Sequence, residues 1–103
     1  MFIAKVKGNV VTTQKVHAMS GRKLLIIEPV RVQEGKDQLN PTGQCFVAVD
    51  SLGAGTDDLV LVTQGSSARM TETTSDAPID CVVIGIIDTV NALGRRIYSK
   101  DAK

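Results

Sequence analysis

Three runs of aliphatic residues constrain this chain more than any other feature. Leu24-Leu25-Ile26-Ile27, Leu59-Val60-Leu61-Val62 and Val82-Val83-Ile84-Gly85-Ile86-Ile87 are short, largely β-branched, and have Gly, Pro or Asp close by. That combination reads as strand. Side chains alternate between the two faces of a strand, so each run places large aliphatics on both. An antiparallel barrel buries only the inner face, and the chain has too little helical patterning to cover the outer one. About six outward aliphatics, each worth roughly 1.5–3 kcal/mol on full burial, give an upper bound of about 9–18 kcal/mol. This is comparable with the whole stability of a small domain. Left wet, such a patch invites aggregation. The pattern therefore predicts an obligate homo-oligomer whose neighbouring copies cover it. The alternative is a strand buried on both sides within one chain.

The rest of the chain has the same texture. Residues 2–7 open as a strand, Gly8-Asn9 marks a bend or bulge, and residues 10–13 continue it. A loop with His17 covers residues 14–21. Residues 22–32 form a second strand region in which Pro29 marks a bend or an edge. The polar stretch 33–44 (QEGKDQLNPTGQ) reads as a long exposed loop. Strands are expected at 45–50 and 59–64, on either side of the turn-rich SLGAGTDD. Residues 65–72 hold the only plausible helical turn, and 73–78 a loop. Residues 81–90 form the strongest strand, with a last one at 95–98. No crossover helices separate the strands, so the sheet should be mostly antiparallel. The expected fold is mainly β: a small OB-like antiparallel β-barrel with one short helix, in a single domain over residues 1–103.

Composition narrows function chiefly by exclusion. Net charge is only +1 and aromatics are 3% of residues. A single-strand binder relies on basic grooves and aromatic platforms, so an OB-fold nucleic-acid-binding module is the disfavoured alternative. Lysines at positions 5 and 7 interrupt the N-terminal apolar run, which argues for a strand and not a signal peptide. No run approaches the length of a membrane span, so a cytoplasmic protein with no membrane partner is expected. Cys45 and Cys81 are expected to be buried free thiols, packing as small hydrophobes. With His17 they cannot complete a zinc set, so no metal or cofactor is expected.

The usual catalytic groupings are missing. His17 reads as a solvated loop histidine, Asp57-Asp58 as turn residues, and Asp50 and Asp88 as strand-ending acids. Asp88 has the further option of a hydrogen bond across an interface. No nucleophile, base and orienting group come together, and no catalytic residue is assigned. The segment Gly65-Ser66-Ser67-Ala68-Arg69 has two readings. The hydroxyls of Ser66 and Ser67 with the Arg69 guanidinium could hold an anion at the start of a helical turn. A structural turn whose arginine reaches a neighbouring subunit is favoured, because no general base accompanies it.

Taken in order, several segments resemble the pentameric vertex proteins of bacterial microcompartments, of the carboxysome and ethanolamine-utilisation type. They are MFIAKVKGNVVTTQK, GRKLLIIEPV, FVAVDSLGAGTDDLVLVTQGSSAR and VVIGIIDTV, at residues 1–15, 21–30, 46–69 and 82–90. They span nearly the whole chain. The resemblance implies an OB-like barrel assembled as a homopentamer at the fivefold corners of a protein shell whose facets are hexameric shell proteins. It implies a structural role and no enzyme activity. Its pattern makes Gly65, Ser66, Ser67, Ala68 and Arg69 candidates for subunit contact near the fivefold axis. Val82, Ile84, Ile86 and Asp88 form a second candidate set.

Overall fold

The computed structural model describes residues 1–13, 15–19, 21–33, 38–65 and 79–100. In chain order its elements are β1 (Phe2–Val10), a 3-10 turn (His17–Met19), β2 (Lys23–Arg31), β3 (Asn40–Pro41), β4 (Phe46–Asp50), β5 (Leu59–Gln64), β6 (Cys81–Ile86), β7 (Thr89–Ala92) and β8 (Arg95–Ser99). Five of the strands close into a barrel in the order β1-β5-β6-β4-β2, with β2 returning to β1. Every barrel pairing is antiparallel except β4 with β6, which run parallel and meet at the single pair Val49–Val82. Closure removes most of the sheet edge that an open five-stranded sheet would expose.

The interior follows from alternation. Ala4, Val6, Leu25, Ile27, Ala48, Val60, Val62, Cys81 and Val83 are buried together, and Phe2 and Ile86 close over them. Two register shifts shape the wall. One lies between Val6 and Gly8, at the bend that Gly8-Asn9 predicts. The other lies between Leu61 and Val62, where Ile84 is the extra residue opposite β5. A bulge of this kind reverses the facing of everything beyond it. Cys81, Val83 and Ile86 therefore point inward, and Val82 and Ile84 outward.

Three expectations are corrected. Cys45 is exposed and only Cys81 is buried, because Cys45 precedes the first residue of β4 and falls outside the ladder. The run 81–90 is two strands: Ile87 donates its N–H to the Leu59 carbonyl, after which the chain leaves the barrel as the β7–β8 hairpin. The polar loop 33–44 contains β3, which pairs with the end of β2. Pro29 lies inside β2, opposite Ala4, and its carbonyl accepts from the Thr42 N–H. The expected short helix lies outside the described residues apart from Gly65, and the 3-10 turn is the helical element among those described.

Burial, and next to it the carboxylate of Asp80, pushes the Cys81 thiol above its ordinary value near 9.0. The unfolded chain then ionises first. The stabilisation from a neutral buried thiol is complete below that value and is lost as pH climbs from it through the raised value of the folded chain. Thiol alkylation near neutral pH should accordingly modify Cys45 in the folded chain and reach Cys81 only on unfolding. Equal labelling rates for the two would contradict this packing.

Candidate functional site

The outer wall of the barrel divides into an apolar band and a charged cleft. Register builds the band. Val10 lies opposite Leu24, Leu24 opposite Val49, and Val49 opposite Val82. Ile26 lies between Gly8 and Val47 in the next row. These side chains share the outer face, since their sequence neighbours Leu25, Ile27 and Ala48 are in the core. Part of the band is covered from within the chain: Val49, Ile79 and Val82 are buried together, with Ala18, Met19 and Leu24 packed against them. The remainder is open. Val47 is 49% exposed and Ile84 37%, and Phe46 and Leu52 are exposed nearby in sequence. Parallel pairing of Val49 with Val82 puts Val47 and Ile84 on opposite sides of that pair, so the patch covered by the chain itself lies between two uncovered flanks.

Leu52 is held by a polar knot. Asp50, whose side chain is fully buried, accepts from the Leu52 N–H through Oδ1 and from the Ala54 N–H through Oδ2, both at 2.8 Å. Lys23 Nζ lies 3.8 Å from Asp50 Oδ2 and donates to the Ala54 carbonyl at 3.0 Å. A carboxylate beside backbone donors is a natural turn former. Gly53, at φ 85°, supplies the left-handed residue this tight turn needs. Asp58 repeats the device by accepting from the Gly55 N–H, and the loop then rejoins β1 through paired bonds between Val6 and residues 57 and 58.

The cleft lies at the other end of the barrel, between its wall and the hairpin. Lys5, Glu28, Leu59, Pro41, Ile97 and Tyr98 are among the residues lining about 360 Å³. Lys5 faces Asp57 at 3.7 Å, Lys7 faces Glu28 at 3.9 Å, and Lys100 faces Asp58 at 4.0 Å. These pairs are long and each has a substantially exposed lysine, so they stabilise little. No described group of three or more His, Cys, Asp or Glu residues could hold a metal ion, and no described helix is long and apolar enough to cross a membrane.

The residues singled out from sequence are distributed unevenly over this surface. Gly65 is exposed, and its N–H donates to the Asp80 carbonyl at 2.8 Å, tying the end of β5 to the start of β6. Ser66, Ser67, Ala68 and Arg69 lie outside the described residues, and with them both readings of that segment. Val82 is covered by its own chain and Ile86 packs on the interior cluster. Ile84 and Asp88 are exposed. Sequence reasoning passed over Val47 and the anchoring role of Asp50. Both had a signal, in the alternation of FVAVD and in the spacing from Asp50 to Gly53.

The family profile described as ethanolamine utilisation protein EutN/carboxysome matches residues 1–88. The chain belongs to this family. It is 42% identical over 100 residues to the bacterial microcompartment shell vertex protein EutN of Escherichia coli K12, covering 97% of this chain and 100% of that one. The solved structure of Gloeobacter violaceus CcmL superposes with a TM-score of 0.89 at 41% identity, covering 99% of this chain and all of that one. GrpN of Rhodospirillum rubrum, a pentameric microcompartment shell protein, superposes with a TM-score of 0.73 at 40% identity over 89% of this chain and all of that one. Such EutN/carboxysome relatives are named for a place in a shell and not for a reaction. The chain groups with structural shell proteins and not with enzymes.

Proposed function

We propose that this chain, as a single domain over residues 1–103, forms homopentamers that cap the fivefold vertices of a bacterial microcompartment shell in the cytoplasm. Hexameric shell proteins would be the neighbours at the vertex rim. The observation that carries the reading is the exposure of Val47 and Ile84, on either side of the self-covered patch of the outer apolar band, on a barrel that matches a pentameric shell protein at 40% identity. A ring of identical copies hides such a surface by repeating one contact until it closes. Fivefold units also supply the curvature that a flat hexagonal sheet lacks.

Within the ring, Gly65 to Arg69 and the exposed pair Ile84 and Asp88 are the proposed subunit contacts. The exposure of Gly65 at the end of β5 supports the first set. Co-expression with hexameric shell subunits tests the vertex role: closed polyhedral particles should form with the chain present, and open sheets or tubes without it. Equal closure in its absence would overturn the proposal. Arg69→Glu should raise the dissociated fraction in native mass spectrometry at least tenfold, and an unchanged spectrum would remove this segment from the interface.

A further inference from the structure

The β7–β8 hairpin begins at Thr89, one residue beyond the family match, and forms its own two-stranded sheet. An isolated two-stranded hairpin is marginally stable in water and needs a surface to pack on. Its base leans on the barrel, where Ile97 and Tyr98 border the charged cleft and Lys100 reaches Asp58. Its tip does not: Asn91, Leu93, Gly94, Arg95 and Arg96 are all exposed. The described residues extend 46 Å along one axis and 24 Å along the other two, consistent with a projecting arm.

The tip is unusual in two respects. Leu93 has φ 54° and Gly94 φ 78°, the doubly positive geometry of a tight hairpin turn that favours Asn, Asp or Gly at both places. A leucine there is strained, and this one is also 51% exposed. Neither feature helps the single chain. Both make sense for a side chain that docks elsewhere.

A receptor of matching size exists on the same molecule, where exposed Val47 flanks the self-covered part of the apolar band. Met19, Leu24, Val47, Val49, Ile79 and Cys81 line a groove of about 180 Å³, with exposed Asp80 at its border. A cavity of about 150 Å³ admits a benzene molecule, so this groove has room for one leucine side chain. A chain's own arm does not reach it. The groove lies at the Cys81 end of β6, whereas the hairpin leaves from the Ile86 end through a two-residue link, and the cleft contacts hold its base there. We infer that Leu93 of one copy docks in the groove of the next, with Arg96 beside that copy's Asp80. The arm and the groove are different surfaces, so the contact is head-to-tail, the type that forms a ring when the rotation between copies closes. This rests on the proposed oligomeric assembly and names one of its contacts.

Leu93→Asn tests it without endangering the fold, because asparagine relieves the backbone strain while removing the apolar anchor. Dissociation of the ring, followed by native mass spectrometry across a dilution series, should rise at least tenfold. As a second readout, Leu93→Cys with Val47→Cys in a Cys45→Ser background should give intermolecular cross-links with a short bismaleimide. A monomeric wild-type protein would remove the assembly reading and this contact with it. An oligomeric wild-type whose Leu93→Asn variant dissociates no faster, or whose cysteine pair does not cross-link between copies, would overturn the arm contact alone.

Discussion

Replacing Asp50 by alanine should destabilise the fold by roughly 3–5 kcal/mol, the largest single-site effect expected outside the aliphatic core. The carboxylate has no exposed side-chain surface and accepts from two backbone N–H groups. Hydrogen bonds to a charged group contribute about 1.5–3 kcal/mol each. Alanine removes both and leaves the Ala54 N–H buried without its partner. Lys23 is half exposed, so Lys23→Met should cost less than about 1 kcal/mol. For a domain of this size a loss of 3 kcal/mol lowers the melting temperature by roughly 12–24 °C. Circular dichroism melts of the two variants at matched protein concentration separate them. A loss below about 1 kcal/mol for Asp50→Ala would mean that the loop holding Leu52 is shaped by something other than this carboxylate.

The double variant Val47→Asp with Ile84→Asp should abolish assembly while leaving the barrel folded. Both side chains are exposed in the single chain, and surface substitutions of that kind usually change stability by no more than about 0.5 kcal/mol. In a ring that covers the band, each new carboxylate would be taken out of water without a partner, at several kcal/mol per ion. A total of only about 2.8 kcal/mol already weakens association a hundredfold. Sedimentation velocity should show a single slow species with an unchanged circular dichroism spectrum. Retained assembly would place the subunit interface on another face of the barrel.

The parts of this fold legible from sequence are those governed by local periodicity. β5 falls at residues 59–64 as expected, because an alternating aliphatic run there is bracketed by Asp58 and Gly65. The irregularity near Gly8 was legible for a similar reason. The break between β6 and β7 was not, since an unbroken aliphatic run carries no change of period at Ile87. The pairing runs out at the bond from the Ile87 N–H to the distant Leu59 carbonyl. The parallel seam between β4 and β6 was equally invisible, because it joins strands far apart in sequence and rests on one residue pair. Apolarity on both faces of a strand was plain in the sequence. Which part of the outer face the chain covers by itself depended on Ile79 and Met19 packing with Val82, and no pattern in the run itself shows that. For the candidate interface, the bulge at Ile84 decides the facing. It turns Ile86 inward and leaves Ile84 outside, whereas the bare sequence offers Val82, Ile84 and Ile86 on equal terms.

What all of this depends on is whether sister copies cover the aliphatics left outside the barrel. Sedimentation equilibrium of the purified wild-type chain at micromolar concentration asks that question with no variant needed. Vertex assembly predicts a particle of five times the 11.0 kDa chain mass. A stable particle of 11.0 kDa, with Val47 and Ile84 in water, would contradict it.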